Sequence, residues 1–147
     1  MRARDLAVEF PTVTMDTPAL EAAKLLAEQD LPGLIIVDDG RPLSILPGTQ
    51  VLRLAVPAYC RDDPALARVV DEAHADLFLR KLGGKTVREC LPEQPRELPV
   101  ADPKATVLEL AALMARTRSP LTAVVDGDGR LIGAVTLQSL LDHALEL

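Results

Sequence analysis

The 147-residue chain has no tryptophan, one tyrosine and two phenylalanines. Its core must therefore be packed from Leu, Val, Ile and Ala, and flat rings on which nucleobases would stack are nearly missing. No run of basic residues occurs and the formal charge is −6, so the footprint of a protein that tracks nucleic acid or an anionic membrane surface is lacking. No apolar stretch is long enough for a signal peptide or a membrane span, and the reading places the chain in the cytoplasm. Only two histidines and two cysteines are present. His74 lies among Asp71, Glu72 and Asp76, but no second His or Cys follows at helical spacing, so a solvated helix face is expected rather than a metal site. His143, beside Asp142, reads as a surface residue, and Cys60 and Cys90 read as free thiols in a reducing compartment. With no Gly-rich phosphate loop and no Ser-His-Asp or Cys-His grouping, catalysis is not expected and no cofactor is required.

What the chain does have is patterned apolar sequence, 48% of its residues. The stretch from Thr122 to Leu141 reads without a gap as strand, turn, strand and helix start. Thr122 to Val125 is β-branched and apolar, Asp126-Gly127-Asp128-Gly129 supplies turn residues that tolerate positive φ, and Arg130 to Val135 returns as a second strand. Leu137, Leu140, Leu141, Ala144 and Leu145 then fall on one helical face. Thr136 thus stands at a strand-to-helix junction. Its hydroxyl either caps the helix or joins the first free N–H groups in holding an anion such as phosphate.

Earlier in the chain, Phe10 to Thr14 is a short strand, and Asp16-Thr17-Pro18 opens a helix with Asp16 or Thr17 as cap and Pro18 at its first position. That helix ends near Gln29-Asp30. Leu34 to Val37 and Leu43 to Leu46 form a hairpin about Asp38-Asp39-Gly40-Arg41, and Gln50 to Val56 is a short helix. Asp63-Pro64 begins a connector helix that runs toward Gly83-Gly84. Leu98 to Ala101 is a strand, and Thr106-x-x-Glu109 has the capping-box pattern ahead of a helix from Val107 to Arg116. This helix is apolar nearly all round and needs cover on more than one side, from the rest of the chain or from a second copy.

The order of elements recurs. Arg88-Glu89-Cys90 repeats Arg4-Asp5-Leu6 at an offset of 84, and Arg130 to Leu141 repeats Arg41 to Leu52 at 89. Such recurrence implies two similar units, each too small to bury its own sheet face alone. The expected organisation is a first unit over residues 1–57, a connector with a helix over 58–84, and a second unit over 85–147.

With Leu121 to Thr136 in the second unit, LTAVVDGDGRLIGAVT, this order resembles a tandem cystathionine-β-synthase (CBS) domain pair, a Bateman module. The resemblance implies a mixed α+β fold of two pseudo-symmetric units, each a small sheet with two helices, and a cleft between them. It also implies an adenosine-containing ligand, AMP, ADP, ATP or S-adenosylmethionine, and a regulatory, non-catalytic role toward a partner enzyme or transporter, commonly as a homodimer. In the family a Thr or Ser at the junction contacts phosphate and an Asp three residues on holds the ribose hydroxyls. Here Thr136 matches the first role and Ser139 stands in place of the Asp, with Val100, Leu121 and Thr122 around the base. In the first unit Pro47 and Gln50 occupy the junction places, beside Gly33 and Leu34, so that site is expected to be empty or altered. The alternative is a ligand-free dimerisation module whose nucleotide sites have degenerated. Arg116 and Arg118 either offset a phosphate's charge or complement a helix C-terminus.

Overall fold

The computed structural model describes residues 1–55, 65, 80–94 and 96–145. The connector helix, His74 and Cys60 lie outside the described residues except at Ala65 and from Arg80 onward. The chain opens with α1 (Ala3–Leu6), β1 (Thr12–Val13), α2 (Ala19–Gln29), β2 (Gly33–Asp38), β3 (Arg41–Pro47) and α3 (Gly48–Ala55). After the connector come α4 (Val87–Cys90), β4 (Val100–Ala101), α5 (Val107–Thr117), β5 (Leu121–Val125), β6 (Leu131–Thr136) and α6 (Leu137–Leu145). The fold is mixed α+β, with one three-stranded sheet in the order β1-β2-β3 and another in the order β4-β5-β6.

Both repeats begin with a helix of a single turn that period counting does not detect. In α1 the Arg2 N–H donates to Asp5 Oδ2 at 2.9 Å, and ahead of α4 the Thr86 N–H donates to Glu89 Oε1 at 3.3 Å. One carboxylate three residues on thus closes each turn. The expected cap on α2 is not made: Pro18 itself is the cap residue, and the Thr17 hydroxyl turns back to accept from Thr14 N at 2.9 Å. The Ala19 N–H instead donates to the Lys85 carbonyl at 2.9 Å, so one free N–H of the first turn is satisfied by main chain distant in sequence. At α5 the expected cap is present, Glu109 N donating to Thr106 Oγ1 at 3.2 Å.

Compactness divides the chain otherwise than its repeats do. One compact unit comprises Met1–Thr12, Ile35–Ile45 and Arg96–Leu147, and the other Val13–Leu34 and Leu46–Pro95. In the first, α1 packs beside the elements of the second repeat. Ala3 and Leu6 join Ala101, Leu110, Met114, Val124, Val135 and Leu140 in one apolar core. In the other, α4 docks against the start of α2, where Val87 N donates to Thr17 O at 2.9 Å and Arg88 N to Met15 O at 3.0 Å. Each single-turn helix is therefore seated on the repeat to which it is not adjacent in sequence.

β4 runs parallel to β5 and β5 antiparallel to β6, with Leu121 opposite Thr136 and Val124 opposite Gly133. The tip of this hairpin is organised by Asp126, whose Oδ1 accepts from Asp128 N at 2.8 Å and Arg130 N at 3.0 Å, while Gly129 takes φ 82°. Against it lies the tip of the first hairpin: Leu131 N donates to Gly40 O at 2.8 Å and Arg41 Nε to Asp128 O at 3.1 Å.

Candidate functional site

Strand alternation fixes which candidate side chains share a face. Val100 pairs with Ala123, and Leu121 with Thr136, so Val100, Leu121 and Thr136 stand on one face of the β4-β5-β6 sheet. Thr122 pairs with Val135 and so shares the other face with Val124 and Val135, which pack into the core with Leu110, Met114 and Leu140. The structure thus brings Val100, Leu121 and Thr136 together and separates Thr122 from them. Val100 is exposed, Leu121 and Thr122 are fully buried, and Thr136 and Ser139 are half-buried. Thr122 Oγ1 has no hydrogen-bond partner among the described residues.

Thr136 ends β6 and α6 starts at the next residue. Its Oγ1 accepts from Ser139 N at 3.1 Å and its hydroxyl donates to Ser139 Oγ at 3.0 Å. The first helical N–H, that of Leu137, donates to the Pro120 carbonyl at 2.8 Å. No acidic residue lies in the first turn of α6, so the partial positive charge of that end is not offset from within it. This junction presents two small hydroxyls and no carboxylate. It can donate to an anion, but it cannot accept from two vicinal hydroxyls as a single carboxylate can.

At the corresponding place in the first repeat, Pro47 ends β3 and supplies neither a hydroxyl nor an N–H. Gln50 lies in the first turn of α3, half-buried, and Gly33 and Leu34 are buried at the start of β2. This junction has no counterpart to the Thr136 hydroxyl.

Sequence reasoning missed how β6 is held from outside. Val8 N donates to Ala134 O at 2.9 Å and Ala134 N to Val8 O at 3.0 Å, a bridge between residues far apart in the chain. The one local sign of it is Gly133, a glycine within an otherwise apolar strand, whose missing side chain leaves room for the crossing. On the helical side, α5 buries Leu110 and Met114 and leaves Leu108 80% exposed, so within its unit it is covered along one side only. Beside it Met114, Ala115, Arg118, Leu137, Leu140 and Leu141 line an apolar groove of about 400 Å³. Among the described residues no group of three or more His, Cys, Asp or Glu is placed to hold a metal ion. No helix there is long and apolar enough to cross a membrane.

Comparison with known proteins gives the family. The CBS domain profile matches residues 3–56 and 95–146. The CBS domain-containing protein CBSX1, chloroplastic, of Arabidopsis thaliana is 27% identical over 150 residues, covering 97% of this chain and 61% of that protein. The chain thus spans about three-fifths of the length of the curated relatives it matches. Among solved structures, a CBS domain-containing protein of unknown function from Kribbella flavida is 52% identical, with TM-score 0.89 and 99% of both chains covered. CBSX2, an Arabidopsis thaliana CBS-pair protein, has been solved in complex with AMP. That complex has 23% identity and TM-score 0.68, covering 99% of this chain and 96% of its own. The CBS domain pair of MJ0100, in complex with 5'-methylthioadenosine and S-adenosyl-L-methionine, has 22% identity and TM-score 0.67, covering 98% and 99%. Two profile matches in one chain, on two copies of the same small sheet-and-helix arrangement, make this protein a member of the CBS domain family, a tandem CBS pair.

Proposed function

We propose that the chain is a regulatory module that binds an adenosine-containing ligand, AMP, ADP, ATP or S-adenosylmethionine, at the β6–α6 junction of its second repeat and passes that state to a partner enzyme or transporter. The observation that carries the reading is the Thr136 hydroxyl at the start of a helix whose first turn holds no acid, on the same sheet face as Val100 and Leu121. The AMP complex of CBSX2 and the S-adenosyl-L-methionine complex of MJ0100, on the same fold, support an adenosine-containing ligand. Pro47 in the first repeat supports one occupied site per chain rather than two. The module acts without catalysis of its own: binding matters only through unequal affinity for two arrangements of the protein.

Isothermal titration and thermal-shift measurement with each of the four ligands at millimolar concentration test this reading. At least one ligand raises the melting temperature and titrates at one equivalent per chain, and Thr136→Val weakens it about tenfold. A flat response to all four overturns the reading.

A second reading is favoured by a different observation, the exposed apolar side of α5 and α6 together with the absence of a carboxylate at Ser139. Here the chain is a ligand-free interaction module that pairs with a second copy. Dimer in sedimentation together with a flat ligand screen is the outcome that selects it.

A further inference from the structure

The first eight residues form a strap across the second repeat, held at several points. Arg2 Nη1 donates to Lys104 O at 2.8 Å, Ala3 N to Ala105 O at 2.8 Å and Arg4 N to Pro103 O at 3.0 Å. Ala3 and Leu6 are buried in the core, and Val8 exchanges both main-chain hydrogen bonds with Ala134. The strap therefore pairs with the outer edge of β6 at Ala134, while the inner edge of β6 is paired with β5.

The corresponding crossing in the first repeat is built differently. Ser44 stands at the register of Gly133, and its hydroxyl donates to the Arg96 carbonyl at 2.8 Å, a side-chain bond that ties the crossing segment down. At Gly133 there is no side chain to do so. A Cβ there would lie 2.9 Å from the Val8 carbonyl oxygen and 3.3 Å from Ala7 Cβ, so the crossing depends on bare backbone. The first repeat's crossing is tied by a polar side chain, whereas the second's rests on main-chain pairing and close fit.

We propose that this strap is a conformational device coupled to the second-repeat ligand site: docking of Met1–Val8 on β6 and occupancy of the Thr136 junction favour one another. The proposal rests on the ligand reading given above. Its physical basis is the strand itself. Ala134, which the strap holds, is two residues from Thr136 on the same face, and Thr136 is otherwise positioned by Leu121 across the ladder and by its bond with Ser139. With the strap released, the Ala134 end of β6 is paired with β5 alone, and the junction hydroxyl is held less firmly. By linkage, a ligand that fixes Thr136 must strengthen strap docking by the same factor that the strap strengthens ligand binding.

The test combines hydrogen exchange, limited trypsin digestion and AMP titration on the full chain. AMP is expected to slow exchange of the Val8 and Ala134 amides about tenfold. Gly133→Ala, which forces its Cβ against the Val8 carbonyl, is expected to free the strap backbone so that trypsin cuts faster after the already exposed Arg4, and to raise the AMP dissociation constant about fivefold. Arg2→Ala, which removes the bond to Lys104 at the far end of the strap and leaves β6 untouched, is expected to act in the same direction by about twofold. Should both variants be cut faster at Arg4 yet bind AMP as the unmodified chain does, the coupling is overturned while the ligand reading stands. If the unmodified chain gives no AMP response, the same measurements are made with whichever of ADP, ATP or S-adenosylmethionine raises its melting temperature, and only a flat response to all four sinks the coupling together with the ligand reading.

Discussion

Thr122 is the residue at which burial and chemistry disagree most. Its side chain is fully enclosed on the helix-covered face of β5, and its hydroxyl has no partner among the described residues. A buried hydroxyl left unbonded costs about 1–3 kcal/mol of desolvation. Valine has nearly the same shape, suits a strand and carries no polar atom. Thr122→Val should therefore stabilise the protein by about 1 kcal/mol, read as a higher urea midpoint at unchanged slope. If the same substitution also leaves AMP affinity unchanged, Thr122 plays no part in ligand binding, the outcome expected from its place on the face opposite Val100, Leu121 and Thr136. Cys90 offers a second test. Burial, with a smaller contribution from the Glu89 carboxylate, raises its thiol above the ordinary value. A thiol raised in the folded state favours the protonated form. Its contribution to stability is present below the unfolded thiol's pKa and is lost as pH climbs through the usual thiol range toward the folded value. In a Cys60→Ser background, alkylation of Cys90 at pH 8 should be slow in buffer and rapid in denaturing urea, and equal rates would contradict the burial.

At the scale of elements, local sequence and final structure agree closely at the start of α5. Thr106 bonds Glu109 N at the start of α5, so Thr106→Ala should cost about 1 kcal/mol, measured by chemical denaturation. The β5–β6 hairpin was equally readable, because Asp-Gly-Asp-Gly between two β-branched runs leaves the backbone few alternatives. Other elements were not. The single turns α1 and α4 are too short to show a helical period, and α1 is seated by non-local main-chain bonds to Pro103 and Ala105. Pro18, expected at the first position of α2, stands at its cap, and the acceptor for Ala19 comes from Lys85, which is distant in sequence. In the candidate site, the Thr136–Ser139 relation follows from a three-residue spacing at a period switch. The face on which Thr122 lies depends on strand register, which a repeat in the sequence leaves open by one residue and which one residue reverses.

For the whole molecule, the apolar side of α5 and α6 is the feature with the widest consequence. Leu108 and Leu145 are each 80% exposed, and Leu137 and Leu141, about half-exposed, line the groove with Met114 and Leu140. Leu137, Leu141 and Leu145 recur every fourth residue, so they form a stripe along one side of α6 rather than scattered surface leucines. An uncovered stripe of this kind beside a groove is the surface that a second copy of the chain would cover. A second copy of the chain presents the same stripe to the same groove, which makes a self-complementary two-fold contact available. Leu141→Glu places a charge in the middle of the stripe at a side chain that already reaches solvent, so the fold itself loses little. Sedimentation at tens of micromolar should then show dimer for the unmodified chain and monomer for Leu141→Glu, with unchanged circular dichroism. The melting temperature of the unmodified chain should rise with protein concentration and that of the variant should not. A monomeric unmodified chain, or a variant that still sediments as a dimer, would leave the α5–α6 face without a second copy to cover it.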